Sequence, residues 1–330
     1  MESCVLYFGG DYLSLTIAKQ SVNKTYIKKA EARVPFGGIV NGEFVDVDEL
    51  PSAFAGLIEK IGSTHLGTLT VGVPSCFVSV TSDEQKLTFA KPHKITERDT
   101  ADLIGDGRAV YYRIDGDKPV INPVGSVVQH ELLAGISYIT ISQSFCDVLR
   151  KFAAMTRAFK KINMIPVVLA EAKYQISQHT RDRTCVVISC KMLSTSVAAI
   201  MGDQIVAVET FHMGTAHVIN DIMNFSHVDF ATAKANYFGL KTTTAQMYPI
   251  AKARIDEIAD QIRSIVKNID NKLFERPFYI LGGHIDAIVG CVEALEKSFG
   301  VTITPLVCPF TESNAPDKVS IDAVVNASFA

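Results

Sequence analysis

One pattern is written twice along this chain: a β-hairpin, a third short strand, helix, and a buried strand. In the first copy, Val5–Phe8 and Leu13–Ala18 flank a Gly9-Gly10-Asp11 turn, and Tyr26–Val34 supplies the third strand. Leu50, Phe54, Leu57, Ile58 and Ile61 then recur at helical spacing, with Pro51 suited to the first turn. Leu69–Val73 reads as a buried strand closed by Pro74. In the second copy, Thr184–Ile188, Ser196–Met201 and Ile205–Thr210 are the strands. Helices over Thr215–Asn224, Asp229–Tyr237 and Ile250–Leu273 follow, then strand Phe278–Leu281 and a helix over Ile285–Phe299. Hairpins joined to helix-linked strands predict an α/β lobe, and two copies predict two lobes. A chain of 330 residues is too long for one small core and long enough for both.

Between the copies lies a compact α+β insert. Thr96-Glu97-Arg98-Asp99 has the form of a capping box opening a short helix that ends near Gly105. Val110–Ile114 and Pro119–Asn122 flank Asp115-Gly116-Asp117, a strong hairpin signal. Strands over Lys86–Lys91, Val127–Leu133 and Ser137–Ile141 and a helix over Gln143–Phe159 complete the insert. The expected organisation is lobe 1 at 1–81, insert at 82–160 and lobe 2 at 161–330, with a reduced small subdomain around 225–275.

Composition excludes several classes. A net charge of −3 without a basic stripe argues against nucleic-acid binding. The seven cysteines show no CxxC or Cys/His metal spacing, so buried thiols in a reducing compartment are expected. The N-terminus lacks the basic stretch of a signal peptide, and the longest apolar runs fall short of a membrane span. Val324–Ala330 carries no basic amphipathic helix. A cytoplasmic protein is expected, peripheral to the inner face of the membrane only through another protein or a removed tail.

Several segments, in order, resemble the FtsA family of bacterial cell-division proteins. They are Gly37–Asp46 (GGIVNGEFVD), Val71-Gly72-Val73-Pro74, Ile121-Asn122-Pro123-Val124-Gly125, Ile139–Ser144 (ITISQS), Gly214–Ile222 (GTAHVINDI) and Ile280-Leu281-Gly282-Gly283. The NPVG stretch is the most specific of them. The resemblance implies an actin-like, ribonuclease H-like two-lobed ATPase fold with a small α+β insert. The pilus adaptor PilM family is similar in fold and insert and stays beside it.

In such a fold, ATP sits between two hairpin turns. Backbone N–H groups of tight, Gly-rich turns hold the phosphates, because only Gly lets the main chain approach closely. An Asp in each hairpin orients a hydrated Mg²⁺. The first turn here keeps Gly9 and Gly10, but Tyr7 stands in place of the Asp, and Asp11 is a displaced substitute or a turn former. In the second hairpin Ser189 and Ser196 replace two Asp, and Lys191, Met192 and Leu193 replace three Gly. Lys191 offers one cation to a phosphate or is a solvated turn residue, the latter being the simpler reading. Thr232 and Ala235 stand where nucleotide-contacting Glu and Lys are implied, and His284 follows Gly282-Gly283. Gly9, Gly10, Gly214, Gly282 and Gly283 therefore mark a vestigial nucleotide cleft, with no catalytic residue, metal or cofactor expected. A pseudo-ATPase is expected, with ATP and Mg²⁺ binding as the rival.

Elsewhere the bland readings suffice. His212 and His217 lack a carboxylate cluster, Asp46, Asp48 and Glu49 suit a helix start, and no base accompanies Ser75-Cys76. Ile255, Ile258, Ile262, Ile265 and Ile269 make a seam on the long helix, simplest as a core face, with a coiled-coil contact as the alternative. The resemblance implies that this helix receives the C-terminal tail of the tubulin-like FtsZ, through Lys252, Arg254 and Glu257. The expected function is an adaptor in cell division that binds such a tail and self-associates through the insert. A filament-forming ATP-binding actin homologue and a PilM-like pilus or secretion adaptor are the alternatives.

Overall fold

A computed structural model of the chain describes residues 2–21, 26–62, 67–156, 158–173, 184–201, 204–240, 246–281, 284–288, 290–306 and 317–329. Two five-stranded mixed sheets share one topology. In lobe 1, Glu2–Phe8 pairs antiparallel with Tyr12–Gln20, which pairs antiparallel with Tyr26–Pro35. On the other side Thr68–Val73 runs parallel to Glu2–Phe8, and Lys161–Pro166 parallel to Thr68–Val73. In lobe 2 the same roles fall to Thr184–Cys190, Thr195–Met201, Gln204–Phe211, Phe278–Leu281 and Ile303–Leu306. The central strands Glu2–Phe8 and Thr184–Cys190 are buried at six consecutive positions each, as expected of strands covered on both faces.

Each sheet is sandwiched. One face of the lobe 1 sheet meets helix Glu49–Ile61 through Leu50, Phe54 and Leu57, and helix Gln143–Met155 through Phe145, Val148, Leu149 and Phe152. The Phe54 and Phe152 rings meet edge to face at 5.0 Å. Its other face is covered by the short helix Val167–Glu171 and the last helix, Lys318–Ala327, whose Ile321, Val324 and Val325 pack with Val5 and Tyr7. The chain thus returns to lobe 1 after building lobe 2. There, helices Thr215–Ser226, Phe230–Phe238 and Tyr248–Asp270 cover one face of the sheet. Ile255, Ile258 and Ile262 are fully buried in that core, so the isoleucine seam is a core face.

Several sequence-derived boundaries move. Lys161–Pro166 is the edge strand of lobe 1, not the start of lobe 2. Helix Gln143–Met155 belongs to the lobe 1 core and stops before Phe159. The insert is a three-stranded antiparallel sheet, with Glu131–Ile141 between Val78–Thr88 and Arg108–Ile114. Val120 contributes only a bridge to Tyr112 rather than a strand. The capping box is present: Asp99 and Thr96 bond reciprocally ahead of helix Glu97–Ile104. Asp115 and Gly116, both at positive φ, make the hairpin turn, and the Asp115 carboxylate also accepts the amides of Gln129, His130 and Glu131. The Ile285–Phe299 helix is broken: Gly290 at φ 79° separates a short 3₁₀ turn, Ile285–Ala287, from helix Cys291–Phe299. The insert docks on the lobe 2 edge strand, where the Ser137 hydroxyl donates to the Ile205 carbonyl at 2.6 Å.

Candidate functional site: the cleft between the hairpins

The tips of the two equivalent hairpins face each other across a cleft of about 540 Å³, open to solvent and lined by residues including Gly9, Gly10, Ser75, Lys191, Met192 and Asp317. The second tip reaches into it. A Cβ on Gly10 would fall on the Met192 side chain, so that glycine makes room for a methionine of the other lobe. Gly214 is explained the same way, since a Cβ there would strike the carbonyl oxygens of Lys191 and Met192. Gly9 packs under the Tyr12 ring. Gly282 and Gly283 lie outside the described residues.

Lys191 is not a solvated turn residue. Its Nζ lies 3.1 Å from Glu171 Oε1 and 3.2 Å from the Tyr7 hydroxyl oxygen, 5.5 Å from the centre of the Tyr7 ring. Glu171 is almost wholly buried at the end of helix Val167–Glu171, and its Oε1 also accepts from the Ser320 hydroxyl. A buried carboxylate needs a cation, and the Lys191 ammonium supplies it.

A second carboxylate anchors the floor. Asp317 Oδ1 accepts from the Tyr7 hydroxyl at 2.9 Å and Oδ2 from the Tyr12 hydroxyl at 2.9 Å. His284 Nε2 lies 3.2 Å from Oδ1. Burial pushes the Asp317 carboxyl up, but His284 beside it, Lys191 and the Tyr7 hydroxyl outweigh burial and hold it well below the ordinary carboxylate range. Burial, then the Asp317 charge, push the Tyr7 hydroxyl far above the ordinary tyrosine value. Two strands, a connecting helix, a hairpin tip, the stretch after strand Phe278–Leu281 and the start of the last helix thus meet in one network. Of its members, the sequence analysis had singled out Tyr7, Lys191 and His284. It missed Tyr12, Glu171 and Asp317, because only the return of the chain to lobe 1 brings Asp317 to Tyr7.

What the cleft offers a ligand follows from these contacts. The first amides of helix Thr215–Ser226, a natural anion site, are used: Thr215 N donates to the Lys191 carbonyl at 3.0 Å and Ala216 N to the Met192 carbonyl at 2.8 Å. The His217 ring Nδ1 accepts from Gly214 N at 3.2 Å, so His217 is a helix-start residue. Asp11 forms an ion pair with Lys234 of helix Phe230–Phe238, across the cleft. Lys234 is one residue before the position where the resemblance placed a nucleotide-contacting Lys. Ser189 is buried with its hydroxyl unpartnered, and Ser196 accepts from the Thr210 hydroxyl at 3.2 Å. Residues so arranged do not form a cradle for a triphosphate and its hydrated Mg²⁺. Among the described residues no cluster of three or more His, Cys, Asp or Glu side chains is placed to hold a metal. Burial pushes the Cys76 thiol up to about 11, the reverse of an activated nucleophile.

The implied partner-binding residues lie apart, on helix Tyr248–Asp270. Arg254 forks onto Asp221, with Nε to Oδ2 at 2.7 Å, and reaches Glu257 at 2.6 Å. Lys252 pairs with Asp256 one turn on. All three residues are engaged within the chain.

The two-lobed arrangement, its duplicated sheets and the facing hairpins define the actin-like ATPase fold. No protein-family model matches the chain, and no curated protein matches it. Solved structures do. A chain of the PilM-PilN type IV pilus biogenesis complex is 16% identical with a TM-score of 0.70, over 100% of this chain and 98% of that one. MreB5 of Spiroplasma citri bound to AMPPNP is 10% identical with a TM-score of 0.58, over 99% and 95%. The ethanolamine utilization protein EutJ of Carboxydothermus hydrogenoformans is 13% identical with a TM-score of 0.57, over 99% and 89%. At these identities the likeness establishes the fold. Among the described residues no helix is long and apolar enough to cross a membrane.

Proposed function

We propose that this chain is a non-catalytic adaptor on an actin-like scaffold, a pseudo-ATPase whose work is to dock a segment of a partner protein. The observation that carries the reading is the seating of Met192 on Gly10, with Lys191 held by Glu171. Side chains and carbonyls of the second hairpin take the room and the amides that a nucleotide would need. The full-length likeness to PilM, solved with PilN in a type IV pilus biogenesis complex, supports a pilus or secretion adaptor over a division adaptor. FtsA and the FtsZ tail gain no support beyond the resemblance in the sequence. The self-pairing once assigned to the insert stays part of the proposal.

Calorimetry and thermal denaturation with ATP and Mg²⁺ test the reading. A ligand present at 100 times its dissociation constant adds about 2.7 kcal/mol of stability. No heat of binding and no thermal shift is expected. Saturable Mg²⁺-dependent binding of ATP would overturn the reading and favour the nucleotide-bound state of the MreB5 structure as the guide.

A further inference from the structure

The lobe 1 sheet ends on Lys161–Pro166, whose outer edge pairs with no described strand. Side chains along a strand alternate between the faces of the sheet. Ile162 accordingly joins the core under helix Gln143–Met155, while Ile165 joins the opposite core under the last helix. An open groove flanks the edge on each face. The first, about 650 Å³, is floored by Leu149, Ala153, Phe159 and Ile162. The second, about 470 Å³, is floored by Ile165, Leu169 and Ala170. Met164, on the edge strand itself, lines both and is 39% exposed.

We propose that this edge takes up an extended partner segment as a sixth strand, its apolar side chains entering the two grooves and its acidic side chains meeting the surrounding cations. This rests on the adaptor reading above and specifies where and what it docks. Unpaired N–H and C=O groups of an edge strand are a template for such addition. The charge of the segment follows from the lining. Among the described residues, every charged residue lining the two grooves is a cation: Arg150, Lys160 and Lys161 in one, Arg108 and Lys173 in the other. Among the described residues Arg108, Lys160 and Lys161 make no ion pair, although the whole chain is net negative. The nearby acid Asp147 is taken up by Arg150 at 2.6 Å and Gln143 at 2.9 Å. A second copy docking here would bring the cations around this edge against an identical cationic surround, which like charges oppose. A polyanion such as a membrane surface would meet the cations but leave the strand edge and both apolar floors unused.

The probe is a labelled peptide of repeating valine-valine-glutamate-glutamate, which sets apolar and acidic side chains on both faces of a strand, with repeating valine-valine-lysine-lysine as control. Anisotropy titration of the full chain should show the acidic peptide binding and the basic one not. Lys160 and Lys161 are exposed, so Lys160→Glu/Lys161→Glu leaves the core intact. It should weaken the acidic peptide by about tenfold or more and improve the basic one. Amides of 161–165 should exchange more slowly with the peptide bound. Absence of binding, equal binding by the variant, or binding without protection of 161–165 each overturns the proposal. So does variant-sensitive binding to phosphatidylglycerol vesicles with no peptide binding. Any of these leaves the ATP calorimetry untouched, so the docking site and the adaptor reading fall separately.

Discussion

Met192, at the tip of the lobe 2 hairpin, rests on Gly10 in the lobe 1 hairpin, so the two facing hairpin turns touch each other through a side chain. The contact makes the two positions complementary in size. Gly10→Ala should overpack the cleft and cost about 1–3 kcal/mol. Met192→Ala should leave a cavity and cost about 2–5 kcal/mol. Because each change relieves the other, the double variant should be more stable than the sum of the two losses, by urea unfolding. Strict additivity would mean that the two residues do not meet in solution.

Removing the Lys191 cation strands the Glu171 carboxylate. Lys191→Met should destabilise by about 3–5 kcal/mol, the usual outcome when one partner of a buried pair is deleted. Lys191→Met/Glu171→Gln should recover most of that loss, since the Glu171 charge is then removed together with its partner. A Lys191→Met protein as stable as the parent in chemical denaturation would place Lys191 in solvent after all.

The floor network should set both ends of the pH-stability curve. The Asp317 carboxyl is held below its ordinary value, so the unfolded chain binds that proton more readily. Its stabilisation is full above about pH 4 and is lost as pH falls further toward the folded value. Tyr7 and Tyr12 are raised by burial and by Asp317, so their contribution is full below about pH 10 and lost as pH rises beyond it. Asp317→Asn should flatten the acid limb, and Tyr7→Phe/Tyr12→Phe the alkaline limb. Denaturant midpoints across pH 2 to 11 check both; unchanged limbs would detach these residues from the network.

Arg254 should behave as a structural residue. Its half-buried fork onto Asp221 ties helix Tyr248–Asp270 to helix Thr215–Ser226. Charge-assisted paired bonds of this kind contribute about 1.5–3 kcal/mol. Arg254→Ala should lower stability by an amount near that range and leave partner binding unchanged once the protein is folded. Weaker binding at unchanged stability would return Arg254 to the partner surface that the sequence resemblance gave it.

The sequence by itself determined most of the strands and helix positions, the two-lobed duplication and the presence of Lys191, Met192 and Leu193, not glycines, at the second hairpin tip. These are local matters: spacing of apolar residues, capping groups such as Thr96 and Asp99, and turn chemistry at Asp115-Gly116. Only the tertiary structure decided which lobe owns Lys161–Pro166 and helix Gln143–Met155, and where the last helix goes. Only it shows Lys191 reaching Glu171, 20 residues away, and Tyr7 reaching Asp317, 310 residues away. A charged residue reads as exposed in sequence because burial is costly unless a partner is present, and partners this far apart along the chain are chosen by folding alone.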